Sequence, residues 1–186
     1  MQSGHKNSLL TAYYIRVKSG TFLKIGKYLI LTGASGMRKV QAEDEAIIAC
    51  PPGRIWQAIT DFSSYQKWWP ASVRIVVRRV TPELVGSQVE IKPYGGRAFL
   101  CEVESIRDGS ELRLRYSGVY RGTGMWTIAE SGSSSCVNYR IDLEVADPFM
   151  KLLSFVVSIP RLHSKLMREV FEGLEGYVNS NCTRTT

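Results

Sequence analysis

From Val73 onward apolar and polar residues alternate, the period of a strand with one buried face. Val73, Ile75 and Val77 open the series and Pro82 breaks it. Val89 and Ile91 form the next strand, ended by Pro93 and Gly95-Gly96. Phe99, Cys101 and Val103 then share one face, with Glu102 and Glu104 on the other. Asp108-Gly109 is a turn signal. After it, Leu112, Leu114 and Tyr116 stand opposite Glu111, Arg113 and Arg115. Gly122 to Ile128, then Val137, Tyr139, Ile141, Leu143 and Val145, complete the run. With a first strand over Gln41 to Ala49, this predicts seven short-connected strands in a single antiparallel sheet.

Between the first strand and Val73 the period is helical. Pro51-Pro52 starts a helix, since the N–H that proline lacks would be unpaired in the first turn anyway. Ile55, Trp56, Ile59 and Phe62 fall at helical spacing, giving one apolar face through Thr60. Ser63-Ser64-Tyr65 caps a second short helix, and Pro70 ends it. The last element is a wide apolar stripe from Phe149 and Leu152 through Val156, Leu166, Met167, Val170, Phe171 and Leu174 to Tyr177. It predicts a long helix over about residues 149–178 that Pro160 should kink or break. Met150 to Ile159 is apolar on most sides, so it is buried or covers an opening.

At 186 residues the chain suits one domain plus a tail. A domain of about 150 residues buries roughly 68–70% of its unfolded surface and needs no disulfide or metal. Cys50, Cys101, Cys136 and Cys182 form no CxxC pair, and only two histidines accompany them. That argues against a zinc site or a secreted disulfide scaffold. Reduced thiols, no metal, no cofactor and a cytoplasmic location are expected.

The net charge of +7 does not mark a nucleic-acid groove. Lys6, Arg16, Lys18, Lys24, Lys27, Arg38 and Lys39 all precede the first acidic residue, Glu43. The rest of the chain therefore balances 24 − 7 = 17 basic residues against 17 acidic ones, whereas a nucleic-acid-binding domain should carry the excess itself. The predicted organisation is a basic, loosely ordered extension over 1–36, a folded domain over 37–180 and a tail over 181–186. The extension has no secretory signal and no run long enough to span a membrane. Three explanations stay open for it: a targeting segment, a lysine-rich contact with an anionic lipid surface, or an appendage preceding a true start at Met37.

The order of elements resembles the START / Bet v 1-like (SRPBCC) superfamily, which includes polyketide cyclases and Coq10-type lipid proteins. The residues that carry the resemblance are Ile48-Ala49-Cys50-Pro51-Pro52 with Ile55-Trp56, then Thr60-Asp61-Phe62 through Tyr65 to Trp68-Trp69-Pro70. It extends over about Val40 to Val178. The resemblance implies an α+β helix-grip fold, a curved seven-stranded antiparallel sheet around a long C-terminal helix. It also implies an internal cavity for an apolar or amphipathic ligand. Its members divide among carriers, sensors, chaperones of quinone-like lipids and cyclase or aromatase enzymes.

Strand parity nominates the cavity wall. If Phe99 and Cys101 face inward so does Arg97, whose guanidinium would hold an anionic head group bidentately; an arginine reaching solvent is the alternative. Tyr116 and Tyr139 share parity with apolar neighbours, so each phenol orients a ligand oxygen or bonds within the core. His163 lies on the apolar helix face in line with Pro160, Met167 and Val170. It is the domain's only histidine, hence a candidate for proton transfer or simply structural. Trp126 and Met125 are adjacent, and the pattern does not decide which faces inward. Trp68-Trp69 is expected to pack, and Glu90 and Glu102 to be solvated. Candidate ligand contacts are thus Arg97, Phe99, Tyr116, Trp126, Tyr139, Val156, Pro160, His163 and Met167, with Arg97 and His163 the candidates for catalysis. No nucleophile motif, phosphate loop or metal-ligand cluster occurs. The chain is expected to bind, carry or sequester a hydrophobic small molecule, the alternative being a cyclase, aromatase or dehydratase.

Overall fold

The alternating segments pair in one sheet in the computed structural model, which describes residues 13–16, 22–32, 38–93, 95–148 and 159–182. The seven expected strands are β3 (Arg38–Ile48), β4 (Val73–Arg79), β5 (Gln88–Pro93), β6 (Phe99–Arg107), β7 (Glu111–Gly118), β8 (Tyr120–Ser131) and β9 (Ser134–Val145). They lie in the order β3-β9-β8-β7-β6-β5-β4, all antiparallel. The first strand of the domain thus returns beside the last, and the rest follow as hairpin neighbours. Together with the helices below this is the curved α+β helix-grip architecture.

Two further strands, β1 (Tyr13–Arg16) and β2 (Phe22–Thr32), continue the sheet outside β3. The alternation pattern assigned no element to these residues. β3 would otherwise present its outer backbone N–H and C=O groups as an open edge, and a facing strand satisfies them. The register sets Lys24 opposite Glu45 and Lys27 opposite Glu43, with an irregularity between them.

Helix α1 (Pro52–Thr60) begins where proline allows, after Pro51 in extended conformation. It buries Ile55, Trp56, Ala58 and Ile59. Asp61 ends it, and its carboxylate accepts the Ser63 N–H at 3.1 Å to start a 3-10 turn over Phe62–Ser64. Helix α2 (Tyr65–Trp68) follows directly. Helix α3 (Ile159–Cys182) has Pro160 in its first turn, where the ring is tolerated. The expected helical stretch before it, residues 149–158, lies outside the described residues.

α3 lays Met167, Val170, Phe171, Leu174 and Val178 on the core, all almost fully buried. Each such side chain contributes about 1.5–3 kcal/mol by leaving water. Between them sits Gly173, where a Cβ would overlap the carbonyl oxygen of Trp68. The backbone of α2 therefore rests directly on the backbone of α3, and only glycine permits the approach.

Gly173→Ala should destabilise the protein by about 1–3 kcal/mol through overpacking against backbone that no rotamer change can relieve. Gly176→Ala, on the same helix with nothing within 4 Å, should be neutral or stabilising by up to about 1 kcal/mol from helix propensity. Thermal denaturation of the two variants checks this, and equal effects would refute the close approach.

Candidate functional site

Inward parity on five successive strands lines a small hollow beneath α2. β5 gives Val89 and Ile91, β6 Cys101 and Val103, β7 Leu114, β8 Trp126 and β9 Tyr139. Ser87 lies at one margin, and Phe62, Tyr65 and Trp69 line the helical side. Its volume is about 20 Å³, room for about one water molecule.

The aromatic segment of the helical side is held ring against ring. Tyr65 meets Phe62 edge-on at 5.4 Å and stacks on Trp69 at 5.7 Å with 19° between planes. Its hydroxyl donates to the Ile59 carbonyl at 2.6 Å. The Trp68 indole donates to the Ser64 hydroxyl at 3.3 Å. Trp68 is core, while Trp69 both packs on Tyr65 and lines the hollow, its buried Nε1 without a hydrogen-bond partner among the described residues.

Across the hollow, the Tyr116 and Tyr139 hydroxyls hydrogen-bond to each other rather than to backbone. Gly124 makes room for them, since a Cβ there would lie 2.7 Å from the Tyr139 hydroxyl and 2.8 Å from the Tyr116 ring. Burial pushes the Tyr65, Tyr116 and Tyr139 phenols up, so all three are neutral. Burial likewise pushes the Cys101 thiol up from 9.0 to about 12, with a hydrogen bond from Tyr116 acting the other way. Phe99 is half-buried, stacks on Tyr116 at 5.4 Å and meets Tyr120 edge-on. Trp126 is the inward member of its pair, buried between Tyr139 at 4.4 Å and Phe171 at 5.9 Å.

His163 stands beside this group, its ring stacked with Tyr139 at 6.0 Å. Its Nδ1 is 3.2 Å from Oδ2 of Asp44, while Ser164 donates its hydroxyl to Oδ1 of the same carboxylate at 2.5 Å. Asp44 is 3% exposed. Sequence reasoning missed it, although Val40, Ala42, Asp44, Ala46 and Ile48 share one parity and only one of them is charged.

Arg97 sits elsewhere. It precedes β6, so the strand parity of Phe99 does not extend to it. Its side chain is 58% exposed and pairs with Asp147 at 2.7 Å. Met167 is buried on α3. Val156 and the Pro160 side chain lie outside the described residues. Glu90 and Glu102 are on the outer face, paired with Arg78 at 2.7 Å and Arg115 at 3.0 Å. The Gln88 amide, foremost, and Arg115 hold the Glu102 carboxyl below its ordinary range. Among the described residues no cluster of three His, Cys, Asp or Glu could hold a metal. Nor is any described helix long and apolar enough to cross a membrane.

Residues 39–178 match the family described as polyketide cyclase / dehydrase and lipid transport. No curated protein sequence matches. Among solved structures, a protein from Thermus thermophilus superposes with TM-score 0.64 at 19% identity, covering 76% of this chain and 98% of that one. A START superfamily protein from Mycobacterium smegmatis gives 0.58 at 17%, covering 75% and 97%. Norcoclaurine synthase from Thalictrum flavum, solved as a point mutant with a transition-state analogue, gives 0.58 at 9%, covering 78% and 97%. At these identities the likeness is one of fold.

The buried thiol makes stability pH-dependent on the alkaline side. Unfolded, Cys101 ionises near 9; folded, it holds its proton to about 12. Its contribution is complete below pH 9 and is lost as pH rises through that window, at up to about 1.4 kcal/mol per pH unit. Urea midpoints at about pH 8, 9.5 and 10.5 should therefore fall more steeply for the native protein than for Cys101→Ala; parallel lines would refute this.

Proposed function

The chain belongs to the polyketide cyclase / dehydrase and lipid transport family, and from that premise we propose that it binds and shields a hydrophobic or amphipathic small molecule. The molecule would sit between the inner face of the sheet and the helical layer. The observation that carries this is the chemistry of the hollow's wall. It is aromatic and aliphatic over most of its surface, and its phenols and thiol are kept neutral by burial. Such a wall favours apolar surface at about 25 cal/mol per Å² and would penalise a bare charge. As the hollow is about 20 Å³, a ligand larger than water requires the lining side chains to move apart. Transport or sequestration then needs no chemistry beyond burial.

An enzyme of the cyclase, aromatase or dehydratase type is the alternative, and one observation favours it. Asp44 buried against His163 Nδ1 is an arrangement that fixes an imidazole tautomer for proton transfer. Arg97 would supply the anion-binding partner only if its ion pair with Asp147 opened.

Native mass spectrometry of protein taken from its natural host should show a retained small molecule of lipid-like mass. His163→Ala should retain the same molecule if the protein only binds. Retention of a different, unconverted molecule by that variant would favour the enzyme. A bare chain that also takes up no added apolar compound would falsify both.

A further inference from the structure

We propose that the free edge of β4 is a docking site for an acidic extended segment of a partner protein, which adds to the sheet as a further strand. The inference is independent of what the hollow holds. β4 ends the sheet, and among the described residues nothing pairs beyond it. Its sequence, VRIVVRR, carries three arginines and no acidic residue. Arg78 is paired with Glu90 at 2.7 Å, and the Arg79 guanidinium donates to the Gly86 carbonyl at 2.6 and 3.0 Å. Arg74 differs from both. It stands directly opposite Lys92, both are exposed, and neither has a hydrogen-bond or ion-pair partner among the described residues. Like charges facing each other across two strands are unfavourable, and a carboxylate beside them offsets the repulsion.

The core stops short of this edge. Val73 and Ile75 are buried, but from Val77 onward both faces of β4 are exposed. Val77, Val80 and Val85 are three of the four large apolar side chains exposed among the described residues. The loop after β4 is held in place: the Thr81 hydroxyl donates to the Val85 carbonyl at 2.9 Å, and the Gly86 N–H to the Val103 carbonyl at 2.8 Å. The opposite end of the sheet shows what such an edge accepts. There β3 carries Glu43 and Glu45, and the strand that covers it sets Lys27 and Lys24 opposite them. An edge of one charge has taken a strand of the other. By the same rule β4 takes a strand whose acidic residues meet Arg74 and Arg78 on the outer face. Apolar residues between them would then lie beside Ile75 and Val77, as alternation along a strand requires. A second copy does not fit, because the strands that end the sheet, β1 and β4, contain arginine and no acidic residue.

The probe is the octapeptide TEVEVEVT, titrated against the full chain, with TKVKVKVT and the unalternated VVVTTEEE as controls. TEVEVEVT should bind and slow hydrogen exchange at β4 backbone amides, and the controls should do neither. Arg74→Glu should weaken its binding about tenfold. That variant stays folded, because a carboxylate there faces Lys92. Equal binding of TEVEVEVT and VVVTTEEE, or binding that leaves β4 exchange unchanged, reduces the effect to general charge attraction and overturns strand addition. No binding of TEVEVEVT overturns the docking site. Slower β4 exchange on raising the concentration of the protein alone assigns the edge to a second copy. Slower exchange only with phosphatidylserine vesicles assigns it to a lipid surface, and either result overturns the peptide assignment.

Discussion

Where α2 sits is decided by one contact between two backbones, the Trp68 carbonyl against Gly173. That contact sets the height of the Tyr65–Trp69 aromatic segment above the sheet, and so the depth of the hollow. α3 must in turn be held still for the contact to mean anything. Along its length Met167, Val170, Phe171, Leu174 and Val178 hold it by burial. At its start Asp44 does so by directed bonds, accepting from Ser164 and meeting His163 from the middle of β3. Burying a carboxylate is costly unless its oxygens are bonded, and here both oxygens have partners. The site is therefore a by-product of how the last helix is anchored.

The sheet separates two electrostatic environments. On the outer face Arg78–Glu90 and Arg115–Glu102 pair in water, where such pairs add little to stability. On the inner face the polar groups of the wall are hydroxyls, a thiol and two indoles, and burial keeps the phenols and the thiol protonated. The Tyr116–Tyr139 bond, seated over Gly124, is how two phenols share this space without an ionised partner. Asp44 and His163 are the exception, set at the margin where α3 begins.

The strands were legible because alternation is a direct consequence of a sheet with one wet face. Phe99, Tyr116, Trp126 and Tyr139 stand on the inner face for that reason, and the choice between Trp126 and Met125 needed only the register of β8 with β9. Arg97 shows where parity stops: it lies between the turn at Gly95-Gly96 and the first paired residue of β6, so counting by twos from Phe99 no longer predicts direction. Asp44 was legible in principle, as the charged member of a buried register. Helix periodicity placed Met167 and His163 on one face of α3 but not what that face meets. Sequence could not show that Trp69 lacks a partner, because that depends on where every neighbouring acceptor lies. β1 and β2 were hidden for a different reason, since β2 lacks the alternation that marks a half-buried strand.

A hollow with room for one water also has a kinetic meaning. If the proposed guest enters this hollow, it must wait for the layers to part, so capture would be governed by how often the protein opens rather than by how often guest and protein collide. The association rate would then level off as guest concentration rises. With no charge on the wall, it would also be nearly indifferent to salt. Residence would be long for the same reason, because departure needs the same opening.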